Sequence, residues 1–334
     1  GSMDVAFAAG LGASGTIRDV ELMSNGSMIV SGNFSDFNNA PVNRITRVEP
    51  DGSLDRVFNI GKGPNDSVNV VKVHQGDFLL IGGEFTTFDT QNYNHLVRVN
   101  IDGAVDETFN LGSGANGNIH DIAVDSLGRV IVVGEFGAFD GIARSNIARL
   151  TPDGLLDETF NPGFGADGVI SSVSVQVDDR VVIGGRFLMF DGVAVPGVAR
   201  LQLDGALDLS FNDALPTVDI ATSWVNRVEV LEDGQILVAG SFEATYEADG
   251  SSLTYRGILR LNRDGSVDTA FQPEAAIALA DRGYGPNGEI SALGIQPDGS
   301  IIVGGLFTRF HGKTHNRLVR LTPDGELDTT INFG

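Results

Sequence analysis

The sequence predicts an all-β protein that folds as a six-bladed β-propeller, with four-stranded antiparallel blades in one closed ring. An Arg followed by a turn centred on Asp-Gly occurs six times, at spacings of 51, 51, 51, 60 and 60 residues. The apolar segments alternate with a period of two, and none has a sustained helical stripe. Closing such repeats into a ring removes exposed sheet edges, which favours a propeller over an open solenoid. The repeated arginines are Arg47, Arg98, Arg149, Arg200, Arg260 and Arg320.

Each copy is expected to contain four short strands joined by tight hairpins. The second copy places these strands at Val68–Val73, Phe78–Phe85, Leu96–Asn100 and Ala104–Phe109, where β-branched residues are frequent. Asn-Gly and Asp-Gly pairs between first and second strands favour turns with positive φ, which match the twist of paired strands. Three such pairs are Asn25-Gly26, Asp233-Gly234 and Asp298-Gly299.

The repeats predict a single domain over residues 4–334, and residues 1–3 resemble the remnant of a cloning tag. The approximate repeat boundaries are 8–58, 59–109, 110–160, 161–211, 212–271 and 272–331. Each repeat ends in a Leu-Asp-x-x-Phe element, whose last copy ends in Ile331, and a seventh copy begins at Met3. We therefore expect a piece of a longer protein, with one terminal copy outside the ring or disordered.

The order of these elements resembles a known bacterial repeat. A valine-rich strand is followed by DGxIxVGGxF, as in residues 298–307, by an Arg-Leu strand and by DGxLDxxF, as in residues 153–160. This order is similar to that of the delta-60 repeat, a β-propeller family largely without assigned activity, over essentially the whole chain. The resemblance implies display or adhesion in large secreted or surface-attached bacterial proteins, or in phage structural proteins. The diglycine also resembles kelch repeats, but one Trp and four Tyr cannot supply the aromatic residues of six kelch blades.

Composition excludes several classes of function. The chain has no cysteine, which excludes disulfides, a thiolate nucleophile and cysteine-ligated metal centres. Its 44 acidic and 22 basic residues give a net charge of −22, which repels phosphate backbones and anionic lipids. No apolar run reaches the roughly 18 residues that cross a bilayer. We therefore expect neither nucleic-acid binding nor membrane insertion.

Two recurrent motifs are interpreted as structural. G-x-G-x-x-G connects two predicted strands wherever it occurs, whereas the glycine loop of a dinucleotide site opens a helix. Its copies are Gly10–Gly15, Gly112–Gly117, Gly163–Gly168 and Gly283–Gly288. The repeated Arg and the Asp of Leu-Asp, such as Arg149 and Asp157, recur in every repeat. Because a buried guanidinium needs a carboxylate or carbonyl partner, this pair predicts a structural network.

The residues outside the repeat pattern indicate a binding face. The Trp and all four Tyr lie in connections between second and third strands or between repeats, which emerge on one face of a four-stranded meander. The added length of repeats five and six is concentrated in Asp213–Trp224, Glu243–Arg256 and Gln272–Glu289, and insertions that break a period often form a binding face. Aromatic rings give rigid contact area and suit sugar rings. The candidate ligand-binding residues are Trp224, Tyr246, Tyr255, Tyr284, Arg282, His311 and His315.

Other interpretations of this face stay open. Long surface loops cost little stability, so the insertions can also be drift, and Trp224 can fill a gap between blades. The spacing of His311 and His315 would place both imidazoles on one face of a helix, but the segment is predicted to be a loop. The sequence also offers no obvious third metal ligand beside them. No cofactor is expected. Calcium is left open, because the EF-hand pattern is absent from the sequence but backbone carbonyl ligands leave no sequence signature.

The sequence favours a non-catalytic recognition or adhesion module of a larger bacterial surface or secreted protein, with a phage virion appendage as the alternative location. It would bind a glycan or a protein through the long-loop face of repeats five and six, and would be monomeric as an isolated domain. A structural spacer without a ligand is one alternative. The other is a glycoside hydrolase or lyase, because propeller enzymes assemble their sites from several blades. The candidate residues of such an enzyme are Glu243, Glu247, Asp249, Asp281, His311 and His315.

Overall fold

A computed structural model describes residues 7, 10–76, 78–218, 223–248, 251–271 and 285–331. The chain divides into two compact units, Met3–Gly165 and, for the most part, Ala166–Gly334, called here the N-terminal and C-terminal units. Each unit contains the sheets of three repeats. Among the described residues all elements but one short helix are strands, as predicted, and no helix there is long and apolar enough to cross a membrane.

Each repeat of the N-terminal unit has three longer strands and one small hairpin made of two-residue strands. The strands are β1 (Thr16–Leu22), β2 (Met28–Asn33), β3 (Asp36–Phe37), β4 (Ala40–Pro41), β5 (Ile45–Val48), β6 (Val68–His74), β7 (Phe78–Gly83), β8 (Thr87–Phe88), β9 (Gln91–Asn92), β10 (Leu96–Asn100), β11 (Asn118–Val124), β12 (Val130–Glu135), β13 (Ala138–Phe139), β14 (Ile142–Ala143) and β15 (Ile147–Leu150).

Repeats four and six of the C-terminal unit follow the same plan, and repeat five departs from it. Its second and third strands are 13 and 11 residues long and pair along most of their length. The elements are β16 (Val169–Val175), β17 (Val181–Arg186), β18 (Met189–Phe190), β19 (Val193–Ala194), β20 (Val198–Leu201), α1 (Leu209–Asn212), β21 (Thr217–Val218), β22 (Trp224–Val230), β23 (Ile236–Ala248), β24 (Ser251–Leu261), β25 (Ile290–Ile295), β26 (Ile301–Gly305), β27 (Arg309–Phe310), β28 (Lys313–Thr314) and β29 (Leu318–Leu321).

In every repeat the second strand lies between the first and the third, and all pairs are antiparallel. The predicted fourth strand is reduced to one bridged residue, as where Leu156 pairs with Leu150. The backbone leaves the sheet directly afterwards, because Asp157 Oδ1 accepts a hydrogen bond from the Thr159 amide at 3.0 Å and bends the chain into a turn. Five repeats therefore have a three-stranded sheet and a bridge where the sequence predicted four strands, and the sheet of repeat five has β21 as an additional strand.

A bulge in the first strand explains the recurrent glycine near the end of the second. In all six repeats the register of these two strands shifts by one residue at this point, as between Ile119 and Asp121. The bulge aims a backbone carbonyl at the glycine: a Cβ on Gly134 would lie 2.0 Å from Asn118 O. The equivalent distances in the other repeats are 2.1–2.3 Å, so only glycine fits.

The recurrent Arg and Asp form the predicted structural network. Arg149 is 2% exposed, and its Nε donates to Asp157 Oδ2 at 2.8 Å. Its guanidinium also lies 4.7 Å from the ring centroid of Phe160, a cation–π distance. All six arginines form the ion pair with the Asp eight residues later, which confirms the prediction.

The Phe that ends repeats two, four and five packs onto the next repeat in the chain. Phe109 shares a buried cluster with Phe136 of repeat three, and Phe211 shares one with Phe242 of repeat five. Phe7 packs in the same way against the cluster of repeat one, while Asp328 of the C-terminal copy pairs with Arg320 of repeat six. Phe7, the described residue of the N-terminal copy, thus supplies repeat one with the Phe that repeats three, five and six receive from the repeat before them.

Side chains of one repeat satisfy the edge strand of its neighbour. Asp19 Oδ2 accepts a hydrogen bond from the Val71 amide at 2.8 Å, and Ser172 Oγ accepts one from the Val228 amide at 3.2 Å. An unpaired edge strand exposes a row of backbone donors and acceptors. These bonds therefore hold neighbouring repeats together within each unit.

Candidate functional site

The long hairpin of repeat five, residues Glu243–Arg256, is the largest departure from the repeat plan. In the other five repeats the same connection forms only a hairpin of two-residue strands. Here Glu243 pairs with Arg256 and Tyr246 with Leu253, and β21 adds a third strand through Thr217 opposite Thr245. The described residues of the predicted insertion, 243–248 and 251–256, therefore form a β-extension, in which the Arg256 Nε lies 3.0 Å from Glu243 Oε1.

A cavity of about 230 Å³ lies beside the base of this hairpin, between repeats four and five. At the equivalent place between repeats two and three, Asn94 Nδ2 donates to Ser113 O at 2.8 Å and secures a glycine-rich loop that fills the space. Pro196 replaces that Asn in repeat four, and the longer connection from residue 213 replaces the glycine-rich loop. The gap left by these two changes is the cavity, called here the Trp224 pocket.

Trp224 forms one wall of the pocket. Its backbone pairs with Ser241 of β23, and the Arg186 guanidinium lies 4.3 Å from the centroid of its ring. Its Nε1 is buried and has no hydrogen-bond partner within the part of the chain that the structure describes. The structure therefore places this predicted ligand-binding residue in a cavity, with an unused hydrogen-bond donor.

The two described tyrosines of the hairpin have different environments. Tyr255 is only 1% exposed and belongs to the core cluster of repeat five, so its ring cannot form part of an exposed surface. Burial raises the pKa of its hydroxyl, for which the described residues provide no hydrogen-bond partner. Tyr246 is partly exposed and packs against the same cluster from the side. Of these two, Tyr246 is the one able to contact a macromolecule.

His311 occupies a recurrent structural position. The Gly285 amide donates to its Nδ1 at 3.1 Å, and the His311 amide donates to Gly285 O at 2.9 Å. In repeat one Asn38 makes the same pair of bonds with Gly12. Burial lowers the pKa of His311 to about 4, so the ring is neutral at pH 7 and accepts this hydrogen bond.

His315 lies on the same small hairpin, and its amide donates to Thr308 O at 3.1 Å. A Cβ on Gly285 would lie 2.8 Å from Arg256 O, so His311 adjoins the base of the long hairpin on the side of repeat six. Tyr284 and Arg282 lie outside the described residues, as do Asp249 and Asp281. The described part of the chain holds no cluster of three or more potential metal ligands.

We expect the protein to lose stability as the pH falls from about 6.5 to about 4. In this range His311 gains a proton in the unfolded chain, whose ordinary pKa is about 6.5, but not in the folded one. His311→Asn keeps the acceptor that Asn38 provides in repeat one and removes the titrating group. Urea unfolding at pH 7, 5.5 and 4.5 should show that the free energy of unfolding falls less for this variant than for the unmodified protein. Equal losses for both proteins would contradict the role of His311.

A polar cluster in the N-terminal unit was not singled out from the sequence. Arg18 Nη1 donates to Glu84 Oε1 at 2.7 Å, and Lys72 Nζ lies 3.3 Å from Glu21 Oε2. Nearby, the buried His120 Nε2 has no hydrogen-bond partner among the residues described, and burial lowers the pKa of this ring. These residues lie on or beside the first strands, where alternation places every second side chain on one face. That alternation was the only sequence signal for the cluster.

The sequence profile of one propeller family matches six segments, which together cover more than half of the chain. The matched segments are residues 24–58, 79–109, 128–160, 176–211, 231–271 and 296–330. The chain belongs to the DUF5122 beta-propeller family, a domain of unknown function. The six segments of the DUF5122 profile coincide with the six predicted repeats, while the similarity to the delta-60 repeat stays a prediction.

Several solved structures have the same fold as this DUF5122 chain. The extracellular domain of a putative hybrid two-component system from B. thetaiotaomicron is 12% identical, with 97% of this chain and 37% of that chain covered and a TM-score of 0.56. Virginiamycin B lyase from Staphylococcus aureus is 10% identical, with 95% and 86% covered and a TM-score of 0.52. A streptogramin B lyase is 14% identical, with 95% and 83% covered and a TM-score of 0.51.

At these identities the likeness shows the β-propeller fold alone, since one fold supports many unrelated functions. A search of curated proteins finds no match to the chain. The hairpin of repeat five and the Trp224 pocket are therefore the features of this chain that bear on its function.

Proposed function

We propose that this DUF5122 propeller is a non-catalytic recognition module built as one closed six-bladed ring. The six profile segments support six blades. The bonds between neighbouring first strands, such as Asp19 to Val71, support closure, because a ring lets every first strand receive such protection. The ring would act as a rigid platform, with binding residues on the connections that it holds in place.

The hairpin of repeat five is the observation that carries the proposal. The other five repeats form their sheets with a connection of two-residue strands, so packing alone does not require a hairpin of this length. The extension presents Tyr246 together with the half-exposed Glu243–Arg256 ion pair. A partly exposed tyrosine beside charged groups that can exchange partners is typical of a recognition surface.

The proposed ligand is a glycan or a protein on a cell surface. Tyrosine provides a flat apolar face for a sugar ring and a hydroxyl for its polar groups, and the same features suit a protein surface. The net charge of −22 disfavours polyanionic ligands. We place the module in a larger bacterial surface or secreted protein, or alternatively on a phage virion, and expect the isolated domain to be monomeric.

The proposal is tested by applying the purified protein to arrayed glycans and to immobilised surface extracts, once with calcium and once with chelator. Recognition predicts a saturable ligand in at least one of the two formats. Loss of binding in chelator would add a calcium ion to the site. A blank result in both formats would contradict recognition and favour a spacer.

The hydrolase or lyase alternative makes a different prediction on the same ligands. Of its candidate residues, Glu243, Glu247, His311 and His315 are described, and the Glu243 carboxylate is paired with Arg256. Release of cleaved product, abolished by Glu243→Gln with an unchanged melting temperature, would overturn the non-catalytic proposal. Binding without product, unaffected by this substitution, supports it.

A further inference from the structure

We propose that the Trp224 pocket binds a small, uncharged, largely apolar molecule that both donates and accepts a hydrogen bond. This site is separate from the macromolecular recognition proposed for the hairpin. It follows from the size of the cavity, the chemistry of its walls and the buried polar atoms that it leaves without partners.

The size and walls of the pocket define an apolar ligand. The described lining is dominated by aliphatic and aromatic side chains, including Phe187, Val198, Leu215, Val225 and Leu259. A dry apolar cavity of about 150 Å³ holds one benzene molecule, so about 230 Å³ has room for a compact bicyclic skeleton. Pockets that are mostly apolar with a few polar groups are the usual form of small-molecule sites.

Three unpartnered polar atoms belong to residues that line this pocket. Eight buried side-chain N or O atoms among the described residues lack a hydrogen-bond partner, and three of them belong to residues that line it. They are Asn212 Oδ1, an acceptor, Trp224 Nε1, a donor, and Ser223 Oγ, which can do both. Buried polar groups are nearly always paired, and leaving one unpaired is unfavourable. These atoms lie just beneath the surface of the cavity. A ligand hydroxyl would satisfy both an acceptor and a donor of this set once a side chain such as Ser223 turns toward the ligand.

The same walls disfavour a cationic ligand. None of the described lining residues carries a charge. The nearest charge established by contact is the Arg186 guanidinium, which stacks on the Trp224 ring. A buried ammonium group would therefore lose its hydration without a partner and would be repelled by Arg186.

Trp224 is the only tryptophan in the chain, so its fluorescence reports directly on the pocket. We would titrate the protein with three molecules of one bicyclic skeleton: bornane, which has no polar group, borneol, which adds a hydroxyl, and bornylamine, which is a cation at pH 7. Borneol should give a saturable shift of the emission and bind about fivefold more tightly than bornane, the effect of one net hydrogen bond. Bornylamine should bind more weakly than borneol.

A pocket-blocking variant and its matched control locate the binding. Ala194 lies at the exposed rim of the pocket, and Ala143 occupies the same position of the small hairpin in repeat three. Ala194→Phe should abolish the borneol response, whereas Ala143→Phe should keep it. Ser223→Ala should reduce the ratio of the borneol affinity to the bornane affinity.

Four outcomes would overturn the proposal. They are no saturable response to borneol in the unmodified protein, equal affinity for borneol and bornane, tighter binding of bornylamine, and an undiminished response in a folded Ala194→Phe variant. If Ala194→Phe fails to fold, the ratio of borneol to bornane affinity in Ser223→Ala decides, because an unchanged ratio contradicts hydrogen bonding to Ser223.

Discussion

Arg149→Leu should lower the free energy of unfolding by about 3–5 kcal/mol, because removing one partner of a buried ion pair leaves the other buried and unpaired. Arg149 is 2% exposed, and its removal leaves the Asp157 carboxylate without its ion-pair partner. The substitution also removes the contact with the Phe160 ring. Urea unfolding followed by circular dichroism measures the change. If the single variant does not fold, the double variant below still tests the network.

Two comparisons separate this effect from a general loss of charge. Arg180→Leu removes an arginine that is 37% exposed and paired with Asp178 at 3.2 Å. This arginine also lies 3.9 Å from Asp208, but that carboxylate keeps its closer partner Arg200 at 2.7 Å, so the variant should cost less than about 1 kcal/mol. Adding Asp157→Asn to Arg149→Leu removes the stranded charge and keeps an oxygen for the Thr159 amide. The double variant should therefore be more stable than Arg149→Leu alone. Equal losses at Arg149 and Arg180 would contradict a buried structural network.

Gly305→Ala should destabilise the protein by about 3 kcal/mol, because a methyl group cannot be placed there without moving the backbone. A Cβ at Gly305 would lie 2.1 Å from Glu289 O, which the bulge in β25 directs at it. The neighbouring Gly304 provides the control. A Cβ there would meet Ala292 Cβ at 3.7 Å, an ordinary contact, and Val133 fills the equivalent position in repeat three.

Gly304→Ala should leave stability within about 1 kcal/mol or raise it slightly, since alanine restricts the unfolded chain. The melting temperatures of the two adjacent variants give the test. Similar values for Gly304→Ala and Gly305→Ala would show that the bulge does not dictate the second glycine of the pair.

The repeat plan could be predicted because each recurrent residue has one clear physical role. The Asp-Gly turns, the alternating strands and the Arg-to-Asp spacing all recur and all indicate paired β-strands. The fourth strand was mispredicted because Leu-Asp-x-x-Phe alternates for too few residues to distinguish a strand from a turn. The Asp157 side chain decides in favour of the turn through its bond to the Thr159 amide.

The seventh copy of this element shows a second limit of sequence reasoning. The sequence contains seven copies of Leu-Asp-x-x-Phe but six copies of every other element, so one terminal copy was expected to have no place in the ring. The sequence does not state which repeat each Phe packs against. Phe7 packs on the repeat that follows it, as Phe109 and Phe211 do. Contacts between repeats depend on the direction in which each side chain leaves the sheet, and element counts carry no such information.

The sequence predicted the location of the candidate site more accurately than the residues that form it. Connection length located the hairpin and Trp224, but not the burial of Tyr255, because a folded-back β-hairpin and an open loop have similar composition. The Trp224 pocket can be recognised in the sequence only when repeat four is aligned with the other repeats. Pro196 then stands where repeats one and two have Asn43 and Asn94, and the glycine-rich loop is missing. Its unpartnered polar atoms can be found only in three dimensions.

Recognition by the long hairpin is tested most directly by comparing two tyrosine variants for binding to the ligand that the intact protein captures. Tyr246 and Tyr93 are both partly buried and both lie in a connection between second and third strands, in repeats five and two. Tyr246→Ala should weaken binding at least tenfold, typical of an aromatic hot spot, whereas Tyr93→Ala should leave it unchanged. Equal affinities for both variants, with both folded, would contradict recognition through the hairpin of repeat five.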